Sequence, residues 1–255
     1  MCSSLVRGKP AFCRRCREGP VVSRFKLTAF TILMGFVPAG ALAGPIWPEG
    51  AAGRFPSSAE PVTVPVTHIT GALTGSLFRG VEANDFEDMY QIRILDERDC
   101  GGKGFTANTT WMVVPGGIND FNTQLWLFDA SGRGLLGNDD AGPGVPQSFI
   151  SFPANDLTLQ PFPGPGIYYL AITGFNDDPL SAGGQIFNQA SPFEISGPDG
   201  PGGLLPINNW SANGSSDIGL YDIQLECVGA VPEPATCSII LAGLGIALAR
   251  RRRLA

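Results

Sequence analysis

An all-β fold, an antiparallel β-sandwich, is the class this sequence predicts, and three observations predict it. Period-two alternation recurs in short runs, turn chemistry separates those runs, and helical periodicity is nearly absent between them. In "DMYQIRI" Tyr90, Ile92 and Ile94 share one face, and Met89, Gln91 and Arg93 share the other. "NTQLWLFD" sets Leu125 and Leu127 against Trp126 and Phe128, and "GIYYLAITG" puts Tyr168, Leu170 and Ile172 on one side. "GLYDIQLEC" places Tyr221, Ile223, Leu225 and Cys227 opposite Asp222, Gln224 and Glu226. Each run has the pattern of a half-buried antiparallel strand. The segments between them, such as "DASGRG", "GNDDAGPG", "PFPGPG" and "SGPDGPGG", are rich in the Gly, Pro, Asn and Asp that turns require.

The elements follow in chain order. Residues 1–43 read as a signal peptide with an over-long leader: Arg24 and Lys26 precede the apolar run Leu27 to Ala43, which ends in Ala41-Leu42-Ala43. A basic region, an apolar region and a small-residue box predict cleavage by signal peptidase between Ala43 and Gly44. The leader holds Cys13-Arg-Arg-Cys16, but no second CxxC pairs with it, and a start near Val21 or Val22 explains it better than a metal site. Residues 44–65, rich in Pro, Ala, Gly and Ser, read as a linker, and 66–230 as the sandwich. Residues 231–255 form the last unit. There Pro232, Glu233 and Pro234 precede fifteen uncharged residues, Ala235 to Ala249, and then Arg250, Arg251, Arg252 and Arg253. As a helix at about 1.5 Å per residue that run reaches about 22 Å, short of the ~30 Å hydrocarbon core, a deficit that snorkelling arginines and bilayer thinning can cover. The arginines act as a cytoplasmic stop, so the preceding domain is expected outside.

From Gly44 to Glu233 the chain has six basic and 22 acidic residues, a net charge of −16 against −6 for the whole. Such a surface repels nucleic acid and attracts divalent cations or basic partners. Only Cys100 and Cys227 remain in this part, in an oxidising compartment where a pair can join.

Two resemblances follow from these residues. The order "NDFEDMYQIRI", "FNTQLWLFDASGRGLLGNDD", "SFISF", "PGIYYLAITGF" resembles the bacterial pre-peptidase C-terminal domain over about Ile69 to Cys227, with a long insertion from Pro179 to Ser216 as the departure. That resemblance implies a jelly-roll-like sandwich. The tail "VPEPATCSIILAGLGIALARRRR" looks like a PEP-CTERM sorting signal. It implies recognition by an exosortase-like membrane enzyme, processing near Pro232-Glu233-Pro234, transient inner-membrane anchoring, and delivery to the cell surface or extracellular matrix.

Chemistry is sparse. His68 is the single histidine, and no G-x-S-x-G, H-E-x-x-H or phosphate loop occurs. No catalytic centre is read, and a hydrolase built on a carboxylate pair is the distant alternative. Three acidic clusters stand out: Asn84, Asp85, Glu87 and Asp88; Asn138, Asp139 and Asp140; Asn176, Asp177 and Asp178. They serve either as Asx-turns or as oxygen ligands for Ca²⁺, for which Asp139 and Asp140 in their Gly-rich loop are the candidates. Trp111, Trp126 and Phe128 either pack the core or pave a carbohydrate surface. The expected function is a non-catalytic surface or matrix protein, with a calcium-dependent module for polysaccharide or protein as the alternative.

Overall fold

The computed structural model describes residues 44–75, 85–110, 112–114, 116–211 and 217–233. The predicted signal peptide through Ala43, Asn84, Trp111, Pro234, the membrane helix and Arg250 to Arg253 lie outside the described residues. Among the described residues no helix is long and apolar enough to cross a membrane.

The fold is all-β. A five-stranded sheet runs in the order β1 (Ile46–Pro48), β3 (His68–Leu73), β13 (Gly219–Glu226), β5 (Thr106–Asn108), β8 (Phe149–Ser151). The facing sheet is β14 (Val228–Gly229), β4 (Glu87–Ile94), β9 (Gly166–Gly174), β6 (Thr123–Phe128), β7 (Gly134–Asn138), with β2 (Glu60–Pro61) also paired to β4. A smaller sheet of β11 (Gly184–Gln185), β10 (Pro179–Ser181) and β12 (Ile207–Trp210) lies within the expected insertion. The long pairings, such as β4 with β9 and β3 with β13, are antiparallel as the alternation predicts.

Two differences from the sequence reading share one cause. Residues 44–65 are built into both sheets, and they pair in parallel: Ile46–Pro48 beside β3 and Glu60–Pro61 beside β4. The sheets are therefore mixed. Proline did not prevent this because β1 occupies a sheet edge, where a missing N–H breaks no ladder. The loop between the two strands closes on Glu60, whose carboxylate accepts from Trp47 Nε1 at 2.9 Å and from the Gly50 and Ala51 N–H groups at 2.8 and 2.9 Å.

The alternating faces meet between the sheets. Ile69, Leu73, Tyr221, Ile223 and Leu225 from one side pack against Tyr90, Ile92, Leu125, Leu127, Leu170 and Ile172 from the other. Trp126 and Phe128, on the opposite face of β6, are also fully buried. With Met89 and Ala171 they form a second core under Ile186, Phe187, Ile207 and Trp210 of the 179–211 excursion. This excludes Trp126 and Phe128 as a carbohydrate platform: a side chain with no exposed surface cannot stack on a sugar. The room for the Trp126 indole comes from Gly137, its cross-strand partner, where a Cβ would fall 2.5 Å from two ring atoms.

Cys227 turns the chain from β13 in one sheet to β14 in the other, with φ +61°. Its disulfide to Cys100, Cα–Cα 5.3 Å, ties that corner to the 3₁₀ turn Glu97–Cys100 that follows β4.

Candidate functional site

The three acidic clusters are put to different uses. In the first, each carboxylate has its own partner. Asp85 accepts from the Thr74 hydroxyl at 2.6 Å, Glu87 pairs with Arg54 at 3.2 Å, and Asp88 accepts from the Tyr221 hydroxyl at 2.6 Å. Tyr221 in turn lies 2.5 Å from the Tyr90 hydroxyl. Burial, then the nearby charge of Glu49, pushes the Asp88 carboxyl well above the usual carboxylate range. Asp88, Tyr90 and Tyr221 thus form a polar strut across the main core.

The second and third clusters meet. Asn138 braces the end of β7: its amide donates to the Glu194 carbonyl at 2.9 Å and its oxygen accepts from Phe149 N–H at 2.8 Å. The next residue, Asp139, lines a cavity of about 230 Å³ between the outer face of the six-stranded sheet and the excursion. Gln124 of β6, Phe175 and Asp178 after β9, and Phe187 and Gln189 of the excursion share that wall. The floor is anchored by a relay. Trp126 Nε1 donates to Thr173 Oγ1 at 3.0 Å, Thr173 donates to the Asp177 carbonyl at 3.0 Å, and Gln124 accepts from Asp177 N–H at 3.1 Å and donates to Asp178 at 3.2 Å.

Asp139 is 6% exposed, and its Oδ1 has no hydrogen-bond partner. Burial, then the charges of Asp140 and Asp178, pushes its carboxyl up to about 7. Burial also raises Asp140 and Asp178. The Oδ1 of Asp140 is likewise buried without a partner. Among the described residues no group of three or more His, Cys, Asp or Glu side chains is placed to hold a metal ion. Asx-type turns do occur, but elsewhere: Asp129 accepts from the Ser131 and Arg133 N–H groups at 2.8 and 3.0 Å.

His68 Nδ1 lies 2.8 Å from Asp222 Oδ1, both nearly buried, and the pair braces β3 to β13. Cross-strand bracing is what this arrangement does in the fold.

After β14 the last described residues are Ala230 to Glu233. Val231 is buried and donates to the Val62 carbonyl at 2.9 Å, whereas Pro232 and Glu233 are exposed. Residues 230–253 match the PEP-CTERM protein-sorting motif. Proteins with this motif are exported and processed by exosortase, a membrane enzyme. The match begins at Ala230, directly after β14, and the described residues end three positions later at Glu233. No curated protein matches the chain.

Of the residues that make the cavity, sequence reasoning singled out Asp139 and named Asn176 and Asp178 within a cluster. Gln124 was visible only as a polar position in a strand. Phe175 and Gln189 carried no signal, because nothing local says which way the excursion folds.

Proposed function

We propose that this is a non-catalytic surface or extracellular-matrix protein, made with a signal peptide, held briefly in the inner membrane by its C-terminal helix, and passed on by an exosortase. The observation that carries the reading is the PEP-CTERM motif beginning directly after β14, the last strand among the described residues. Cleavage at the exposed Pro232-Glu233 would leave both cores and the Cys100–Cys227 bond untouched. The ordered strand motifs support a pre-peptidase C-terminal type of sandwich as the exported part. Intact mass of the protein recovered from its own cell surface tests both ends: a start at Gly44 and an end near Pro232 are expected. Replacing Arg250 to Arg253 with Ser should shift the protein between membrane, surface and medium without changing its melting temperature. An unchanged distribution would contradict the reading.

A second reading makes the sandwich a binding module for polysaccharide or protein, and the polar cavity favours it. Its calcium-dependent form rests on the two unpartnered oxygens of Asp139 and Asp140. Melting curves in calcium, magnesium and chelator test that form. A larger rise with calcium supports it, and equal shifts reduce it to charge screening of a −16 surface.

A further inference from the structure

The cavity over the outer face of the six-stranded sheet is lined by residues outside the 230–253 sorting match. Two residues of its lining each carry a buried polar atom answered by no protein group: the Oδ1 of Asp139, an acceptor, and the Nε2 of Gln189, a donor. Folded proteins leave few such atoms, because each is costly. Together they describe what would complete the wall. A hydroxyl suits either kind of atom, donating to a carboxylate or accepting from an amide. A bare cation answers only the first and would face the Gln189 N–H. Asn176, Gln185 and Asn188 add further amide groups to the same lining. Phe175, 48% exposed, adds an apolar face beside them.

Size and charge narrow the ligand. About 230 Å³ lies below the ~300–1,000 Å³ of pockets for drug-sized ligands, which suits about one ring at a time. The wall carries Asp139 and Asp178, with Asp140 adjacent, and no Lys, Arg or His among the described residues, so an anionic ring is repelled.

We propose that this cavity is a subsite for one residue of a neutral polysaccharide, with Asp139 accepting from a ring hydroxyl, Gln189 donating to one, and Phe175 covering an apolar ring face. The inference rests on the binding-module reading and is independent of calcium. A hydroxyl that donates to Asp139 favours the ionised carboxylate, so binding strengthens as pH rises through about 7.

The test uses the full chain, immobilised and probed with cello-, malto- and xylo-oligosaccharides, with oligogalacturonate as the anionic counterpart, each in chelator and in calcium. Retention of at least one neutral series, equal in chelator and calcium and stronger at pH 8 than at pH 6, is the expected result. Asp139→Asn should weaken it about tenfold, the loss of a charge-assisted hydrogen bond. Gln189→Leu and the exposed Phe175→Ala should each weaken it about fivefold with the melting temperature kept, on the scale of one neutral bond or one stacking contact. Neutral sugar retained equally by all three variants would overturn this subsite and leave the module reading standing. Retention only in calcium would overturn the hydroxyl reading in favour of a bridging cation. No retention of any glycan under any condition would overturn both this inference and the polysaccharide form of the module reading.

Discussion

The six-stranded sheet has two buried faces, and they are built differently. The inner face meets another sheet, strand against strand, through Ile92, Leu127, Leu170 and their neighbours. The outer face carries Met89, Trp126, Phe128 and Ala171, and its cover is the 179–211 excursion, with three short strands and long turns. The side chains of both cores are buried, yet the inner face is covered by a five-stranded sheet and the outer one by a small sheet, long turns and a polar cavity. The lesson is that a strand apolar on both sides, as in "LWLF", marks the middle of three layers. The second cover need not announce itself by any periodicity. A cover held mainly by turns is also the part expected to open first, since local stability follows packing and backbone pairing.

The strongest test of that difference is a pair of neighbours on β6. Trp126→Ala should cost about 3–5 kcal/mol and Leu127→Ala about 2–5 kcal/mol. The Leu127 variant should lose all spectroscopic signals in one transition. The Trp126 variant should first expose the 179–211 segment to protease, with the strands of the five-stranded sheet still protected from hydrogen exchange. One shared transition for both variants would make the two faces a single cooperative unit.

Next in size is the polar strut of the inner face. Tyr221→Phe leaves Asp88 and the Tyr90 hydroxyl without their shared partner, an expected loss of about 1–3 kcal/mol in denaturant unfolding. The outer face has a matching probe in Gly137→Ala. Its added methyl would meet the Trp126 ring at 2.5 Å, and overpacking of this kind costs about 1–3 kcal/mol. Here the loss should appear as earlier proteolysis of the excursion, with the inner core melting as before.

The smallest effect per pH unit concerns titration and touches both faces. Asp88 inside, and Asp139 and Asp178 outside, all have carboxyls raised by burial. A carboxyl raised in the folded state contributes stability at acid pH, below its unfolded value, and that contribution is lost as pH rises through the folded value. The melting temperature should therefore fall between about pH 4 and pH 8, each such group contributing at most about 1.4 kcal/mol per pH unit. Asp139→Asn should flatten the part of that slope that ends near pH 7. A melting temperature that rose over this range would mean that these carboxylates gain partners on folding.

Much of the inner face was legible in the sequence. Tyr90, Ile92 and Ile94, or Tyr221, Ile223 and Leu225, face the core because alternate side chains on a strand must point the same way. The outer face was legible only by half. Trp126 and Phe128 were seen as apolar, but packing under a cover and paving an open surface look identical along one strand. The 44–65 stretch misled for a related reason: proline density reports a backbone poor in donors, which a linker and an edge strand share.

By itself, then, the sequence determined the class of fold, the strands of the inner core, the Cys100 and Cys227 available for pairing, and the sorting motif. All of these depend on residues adjacent in the chain or on simple counting. Tertiary structure alone decided that the lead-in joins both sheets, that residues 179–211 fold back over Trp126, and that Gln124, Asp139, Asp178 and Gln189 line one cavity. Those arrangements depend on which distant segments close on each other. That choice is set by the summed burial of many side chains, and no local pattern records it.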